Sequence, residues 1–163
     1  MSNPLRYRMA IAALSLAAAL VALYLHLWKR GLVGMLTCTA NRGCEVAMTS
    51  SWSWFLGVDV ALIGFVGYSL ILGVSLWGAH PSRERSSTPS LVLLALILPA
   101  LLFTARLKYA EWLVLRTFCP WCFESTVTIV ACLALAWLDL RRVRRQPGGV
   151  SSSPASASFP HTS

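Results

Sequence analysis

The chain has 163 residues, of which 56% are hydrophobic and only 12% charged, and its net charge is +8. A charged fraction well under the roughly 25% usual in soluble domains excludes an ordinary water-soluble globule and points to a membrane protein. The positive charge does not signal nucleic-acid binding, because the fourteen basic residues lie in short segments between and after apolar stretches, where they read as topology signals.

Residues 1–8 form a short basic lead with Arg6 and Arg8. Apolar stretches follow at residues 9–28, 55–77, 91–105 and 121–138, each near the ~20 residues that cross a hydrocarbon core. The first, which contains Ala17, Ala18 and Ala19, invites comparison with a cleaved signal peptide, but it runs on to Trp28, longer than the usual ~7–15-residue signal core. Backbone amides in lipid must be satisfied within their own segment, and no alternating barrel pattern is present, so helices are expected. The predicted class is all-α, an integral membrane four-helix bundle over residues 9–140.

The connection from Lys29 to Trp54 is the longest between spans and holds Cys38, Asn41, Gly43, Cys44 and Ser50. The next, from His80 to Pro89, has two prolines, serines and mixed charge, and carries no chemical motif. Beyond residue 105 the third span is interrupted by Arg106, Lys108 and Glu111 before an apolar pattern resumes at Trp112. Its helix is expected to project past the bilayer, with Lys108 and Glu111 three apart on one face, partly neutralising each other near the headgroups. All seven tryptophans fall near predicted span ends, where amphipathic rings prefer the interface. Trp121 alone sits inside a reactive motif. Residues 141–163 read as a basic stop followed by a Ser/Pro/Gly-rich disordered tail.

With a cytoplasmic N-terminus, Arg6, Arg8, Arg83, Arg85, Arg141, Arg142, Arg144 and Arg145 are cytoplasmic, against Lys29, Arg30, Arg42, Arg106, Lys108 and Arg116 opposite. The count is a slight bias, but the charges flanking the first and last spans favour both termini in the cytoplasm. This makes a multi-pass membrane protein.

That topology puts Cys38, Cys44, Cys119 and Cys122 on the same, extracytoplasmic side. Static disulfides are one reading of such a set in an oxidising compartment. Cys119-Pro120-Trp121-Cys122 argues for chemistry instead. Proline is tolerated in the first helical turn, so Pro120 marks a helix start with Cys119 as its cap. Free amides and the positive end of the helix dipole there stabilise a thiolate. Cys122 lies about 4.5 Å further along the axis towards the lipid, so one sulfur can face water and the other the membrane. A bridge closing so small a ring contributes little to stability. A zinc site is a further alternative, weakened by the six-residue spacing of the other pair. Asn41 and Gly43 permit a turn that brings Cys38 to Cys44. The result is a relay by thiol–disulfide exchange: a soluble dithiol protein reduces the loop pair, a loop thiolate attacks Cys119, and Cys122 delivers electrons to an acceptor in the bilayer. Cys132, alone within the fourth span, reads as a packing residue.

Four spans, the loop pair, Ser50 six residues after Cys44, Gly57, Gly64 and Tyr68 in the second span, and Cys119-Pro-Trp-Cys122 followed by Ser125 together resemble the vitamin K epoxide reductase family, in its bacterial, DsbB-like branch. The resemblance implies a bundle in the cell inner membrane around a quinone, ubiquinone or menaquinone, with no metal. It implies that Cys122 faces the quinone, Cys119 receives electrons from Cys44, and Cys38 meets a separate thioredoxin-like (DsbA-like) protein, whose oxidation supports disulfide formation. Ser50 corresponds to the family's loop serine, with a helix cap as its alternative role. Two positions depart from the pattern: Asp59 stands where many bacterial relatives have proline, and Thr126 where vertebrate members place a tyrosine. Both are candidate quinone contacts. For Asp59 a proton-handling role stands against that of a plain charge at a helix N-terminus. Two other functions remain open: a reductase whose useful product is the reduced quinone or its de-epoxidised form, and a non-enzymatic subunit with structural disulfides or zinc.

Overall fold

The computed structural model of the chain describes residues 4–34, 43–83 and 86–145. Four long helices dominate it: α1 (Pro4–Lys29), α3 (Val60–Gly78), α4 (Thr88–Tyr109, continued by a π-helical turn at Ala110–Val114) and α5 (Pro120–Arg145), with a short α2 (Gly43–Thr49) between the first two. All four are long and apolar enough to cross a membrane. The architecture is thus an all-α membrane bundle, interrupted only by a two-residue hairpin of β1 (Trp54–Phe55) and β2 (Val58–Asp59).

The long helices close a ring of contacts, α1 on α3, α3 on α4, α4 on α5 and α5 on α1. Their shared core is Ile11, Ala18 and Ala19 from α1, Tyr68 and Ile71 from α3, Leu93 and Ile97 from α4, and Ile129, Cys132 and Ala136 from α5. Small residues set the α1–α3 approach: a Cβ on Gly64 would stand 3.7 Å from that of Ala22, and such pairs let helices meet closely where lipid offers no competing hydrophobic force. Cys132 is fully buried there, as a packing residue should be.

The elements depart from the expected spans at three places. The second span was expected from residue 55, but Leu56 and Gly57 both adopt positive φ (52° and 80°) and turn the chain back on itself as a tight hairpin. Helix α3 therefore starts at Val60, with Asp59 as its N-cap. Helix α1 begins at Pro4, within the expected basic lead, and α5 runs through the basic cluster to Arg145. Residues 1–3 and 146–163, the latter holding the expected disordered tail, lie outside the described residues.

Arg8, expected as a topology charge in the basic lead, has a completely buried side chain. Its Nε donates to Asp139 Oδ2 at 2.9 Å, while its other nitrogens donate to the carbonyls of Gly78, Arg83 (3.1 Å) and Ser86 (3.0 Å). Ser90 Oγ donates to the same carboxylate oxygen at 2.6 Å. One guanidinium thereby joins all four long helices at the end that holds the N- and C-terminal helix ends. The crossing requires Gly78, whose missing Cβ would lie 2.6 Å from Pro89 and 3.4 Å from the Arg8 stem. Arg8→Ala should lower stability by about 3–5 kcal/mol by stranding a buried carboxylate, and Arg8→Ala combined with Asp139→Leu should recover part of it. Thermal unfolding in detergent reads both.

Candidate active site

The opposite end of the bundle collects Cys44, Cys119 and Cys122. After the π-helical turn the chain reverses through Arg116, which adopts φ 47°, and Thr117 N donates back to Glu111 O at 3.1 Å. The Glu111 carboxylate, almost fully buried, then grips the reversal from within: Oε1 accepts from the Cys119 amide at 2.6 Å and Oε2 from Lys108 Nζ at 2.8 Å. Lys108 and Glu111 do share a face, but their pair supports the cysteine motif rather than merely balancing charge at the headgroups.

Cys119 caps α5 as its sequence suggests. Pro120 takes the first helical position, where its missing N–H costs nothing. Phe123 N donates to Cys119 O at 3.0 Å and Cys122 N to Cys119 Sγ at 3.4 Å. Cys119 and Cys122 are both thiols, Cys119 fully buried. The hydrogen bond from the Cys122 thiol is the largest influence on Cys119, and the Cys122 amide and Cys44 side chain act in the same direction. Burial and the Glu111 charge oppose them, and the net effect lowers the Cys119 pKa to about 7.

Cys44 reaches Cys119 because α2 begins with Gly43. A Cβ there would collide with the Phe118 carbonyl and lie 2.7 Å from Thr117 Oγ1, so only glycine lets this segment lie against residues 117–119. Cys44 is buried at that contact, its side chain hydrogen-bonded to Cys119. Cys38 lies outside the described residues.

Beneath the motif, between the helices, is a cavity of about 380 Å³. Its wall is mostly apolar, drawn from α1, α3, α4 and α5, and includes Cys122, Ser50, Asp59 and Thr126. The sequence therefore named four residues that the fold brings to one cavity. Ser50 Oγ donates to Ala47 O at 2.9 Å and makes no cap bond to the helical turn Ser51–Ser53 that it precedes. Thr126 Oγ1 donates to Cys122 O at 2.8 Å. Asp59 is both cap and ion partner: it accepts from Ala61 N at 3.3 Å and Lys29 Nζ at 2.9 Å, and lies 2.7 Å from His26 Nδ1. Burial raises its pKa, but the bonds with His26, Lys29 and the Ala61 amide, helped by the Lys29 charge, outweigh burial and hold it below the ordinary carboxylate value.

Sequence reasoning gave no site role to His26 or Glu111, and it noted Tyr68 and Trp121 only as members of motifs. His26 meets Asp59, Tyr68 OH lies 2.8 Å from Ser125 Oγ, Glu111 holds Cys119, and Trp121 lines the cavity with its Nε1 buried. Glu111 did leave a signal, a carboxylate set in an apolar pattern eight residues before a CxxC. Among the described residues no group of three His, Cys, Asp or Glu side chains is placed to hold a metal ion.

A capped thiol pair between a docked loop cysteine and an apolar intramembrane cavity is the anatomy of a membrane redox protein. Residues 9–137 match the model of the Vitamin K epoxide reductase family, and the chain belongs to that family. It is accordingly a membrane thiol–disulfide oxidoreductase linked to quinone.

Thiolate absorbance lost in Cys119→Ala should rise through pH about 7 in the wild-type protein. Glu111→Gln keeps an acceptor for the Cys119 amide but removes the charge that disfavours the thiolate, so the midpoint should move down. Gly43→Ala should slow exchange between Cys44 and Cys119 about tenfold, the backbone having to yield to a buried methyl group, as measured by stopped-flow mixing with a reduced dithiol.

Proposed function

We propose that this protein oxidises the dithiol of a separate thioredoxin-like (DsbA-like) protein through its two cysteine pairs and passes the electrons to a membrane quinone, so supporting disulfide formation. The observation that carries this reading is the position of Cys119, hydrogen-bonded to Cys44 on one side and Cys122 on the other, with Cys122 on the cavity wall.

In the first exchange, a partner thiolate attacks the Cys38–Cys44 disulfide, and the partner's second thiol resolves the mixed disulfide, leaving the partner oxidised and the loop pair reduced. The Cys44 thiolate then attacks Cys119 of the Cys119–Cys122 disulfide and expels Cys122 as a thiolate. Attack by Cys38 on Cys44 closes the loop disulfide again and leaves Cys119 and Cys122 reduced. Their reoxidation to a disulfide gives up two electrons and two protons in all, which balances the dithiol consumed. A bound quinone supplies the two-electron, two-proton acceptor. The cavity suits one: its volume is in the range of small-molecule sites, and its wall is apolar with a few polar groups.

Cys122, Asp59 and Thr126 are the contacts we assign to this group, with Asp59 and His26 as a proton-holding pair. Ser50 supports the loop from the cavity edge. The working domain spans residues 9–140. Both termini face the cytoplasm of a cell inner membrane and the cysteine end lies outside. Charge supports this orientation: Arg6 and Arg8 before the first span and Arg141, Arg142, Arg144 and Arg145 after the last flank the spans at the other end.

Purified protein given a reduced thioredoxin-like protein should reduce added quinone, with activity abolished in Cys122→Ala and near wild type in Cys132→Ala. Full activity in Cys122→Ala would overturn the relay. In cells, quinone depletion should shift Cys119 and Cys122 to the thiol form under acid trapping, whereas static bridges would stay oxidised.

A further inference from the structure

The polar side chains around the cavity nearly all have partners inside the protein. Asp59 is held by His26, Lys29 and the Ala61 amide, and Glu111 by Lys108 and the Cys119 amide. The hydroxyls of Ser50, Thr104 and Thr126 donate to carbonyls of their own helical turns, and Tyr68 bonds to Ser125. The indole of Trp121 is different. Its Nε1 is buried, and it finds no acceptor among the described residues. Two other buried side-chain atoms have no partner among the described residues, the acceptor Asp139 Oδ1 and the donor Arg142 Nη1, but both lie at the far end of α5.

A buried donor without an acceptor is costly, and native structures keep few of them. One in a cavity wall is a point of recognition. An indole N–H can only donate, so the atom it meets must be an acceptor. Asp59 and Glu111 are offset by Lys29 and Lys108, but the Glu124 carboxylate in the same wall, without an ion pair among the described residues, disfavours an anion. A neutral carbonyl oxygen satisfies both conditions.

We propose that Trp121 Nε1 is the donor that holds a carbonyl oxygen of the quinone beside Cys122. The assignment rests on the quinone reading given above, and it gives the residue before the cavity thiol a binding role in place of a passive interfacial one. Trp121 and Cys122 are adjacent in the first turn of α5 and both line the cavity, so the Glu111 grip that fixes Cys119 also fixes the donor. Such a donor bonds more strongly to an oxygen that carries more negative charge, which places Trp121 where it can favour both acceptor binding and turnover.

The test uses the full chain in detergent and two probes with the same decyl tail, a benzoquinone and a para-dimethoxybenzene whose ether oxygens are weak acceptors. Isothermal titration should show that Trp121→Phe lowers affinity for the benzoquinone about fivefold, the scale of one neutral hydrogen bond, and leaves the dimethoxy probe unchanged. Stopped-flow exchange between Cys44 and Cys119 in the same variant should match wild type, which shows the motif intact. Unchanged benzoquinone affinity, or an equal loss for both probes, overturns the assignment to Trp121 while leaving the quinone reading in place. A wild-type protein that binds no benzoquinone overturns both.

Discussion

The hydrogen bond from the Cys119 amide to Glu111 is the contact on which the site depends. A helix start in a membrane bundle exposes amides that lipid cannot satisfy. Here one of the amides at that start is taken by a carboxylate from the preceding helix, which is itself neutralised by Lys108. The bond draws the chain reversal against α4, sets Cys119 at the cap and turns Cys122 and Trp121 toward the cavity. The cost is electrostatic, because the same charge opposes the Cys119 thiolate, and the bonds to Cys119 from Cys122 and Cys44 outweigh it.

The two ends of the bundle answer the same requirement in different ways. At the terminal end, Arg8 is enclosed by Asp139, Ser90 and three loop or helix-end carbonyls, a closed polar knot that crosses all four long helices. At the cysteine end, polar groups form two smaller clusters, one around Asp59 and one around Glu111, with the cavity between them. The first arrangement turns the guanidinium's donors onto the protein's own oxygens. The second keeps carboxylates and an indole donor at the edge of an apolar space, as a redox site for an uncharged carrier requires.

Glycine placement decides how closely the parts come together. Gly43 and Gly78 each stand where a methyl group would strike a neighbour, the first against the carbonyl before Cys119 and the second against Pro89. One brings a loop cysteine to its partner, the other lets a guanidinium pass between helices. Gly57 serves differently, through the positive φ that makes the hairpin and delivers Asp59 to the head of α3.

Apolar run length and the positions of Pro120 and the cysteines were enough, read by themselves, to establish four membrane helices and a capped thiol pair at the mouth of the last. These are local properties: a run of about 20 apolar residues has few options in lipid, and proline in a first turn marks a boundary in its own segment. The fold alone decided what depends on distant partners. Arg8 looked like a topology charge until Asp139, 131 positions away, enclosed it, and Glu111 looked like a headgroup contact until the chain reversal brought the Cys119 amide onto it. Asp59 was visible as a departure from the family pattern, but its hold on His26 and Lys29 arises from the antiparallel packing of α1 and α3. Patterning encodes which residues enter the membrane, whereas pairing among buried polar groups is settled only when the helices meet.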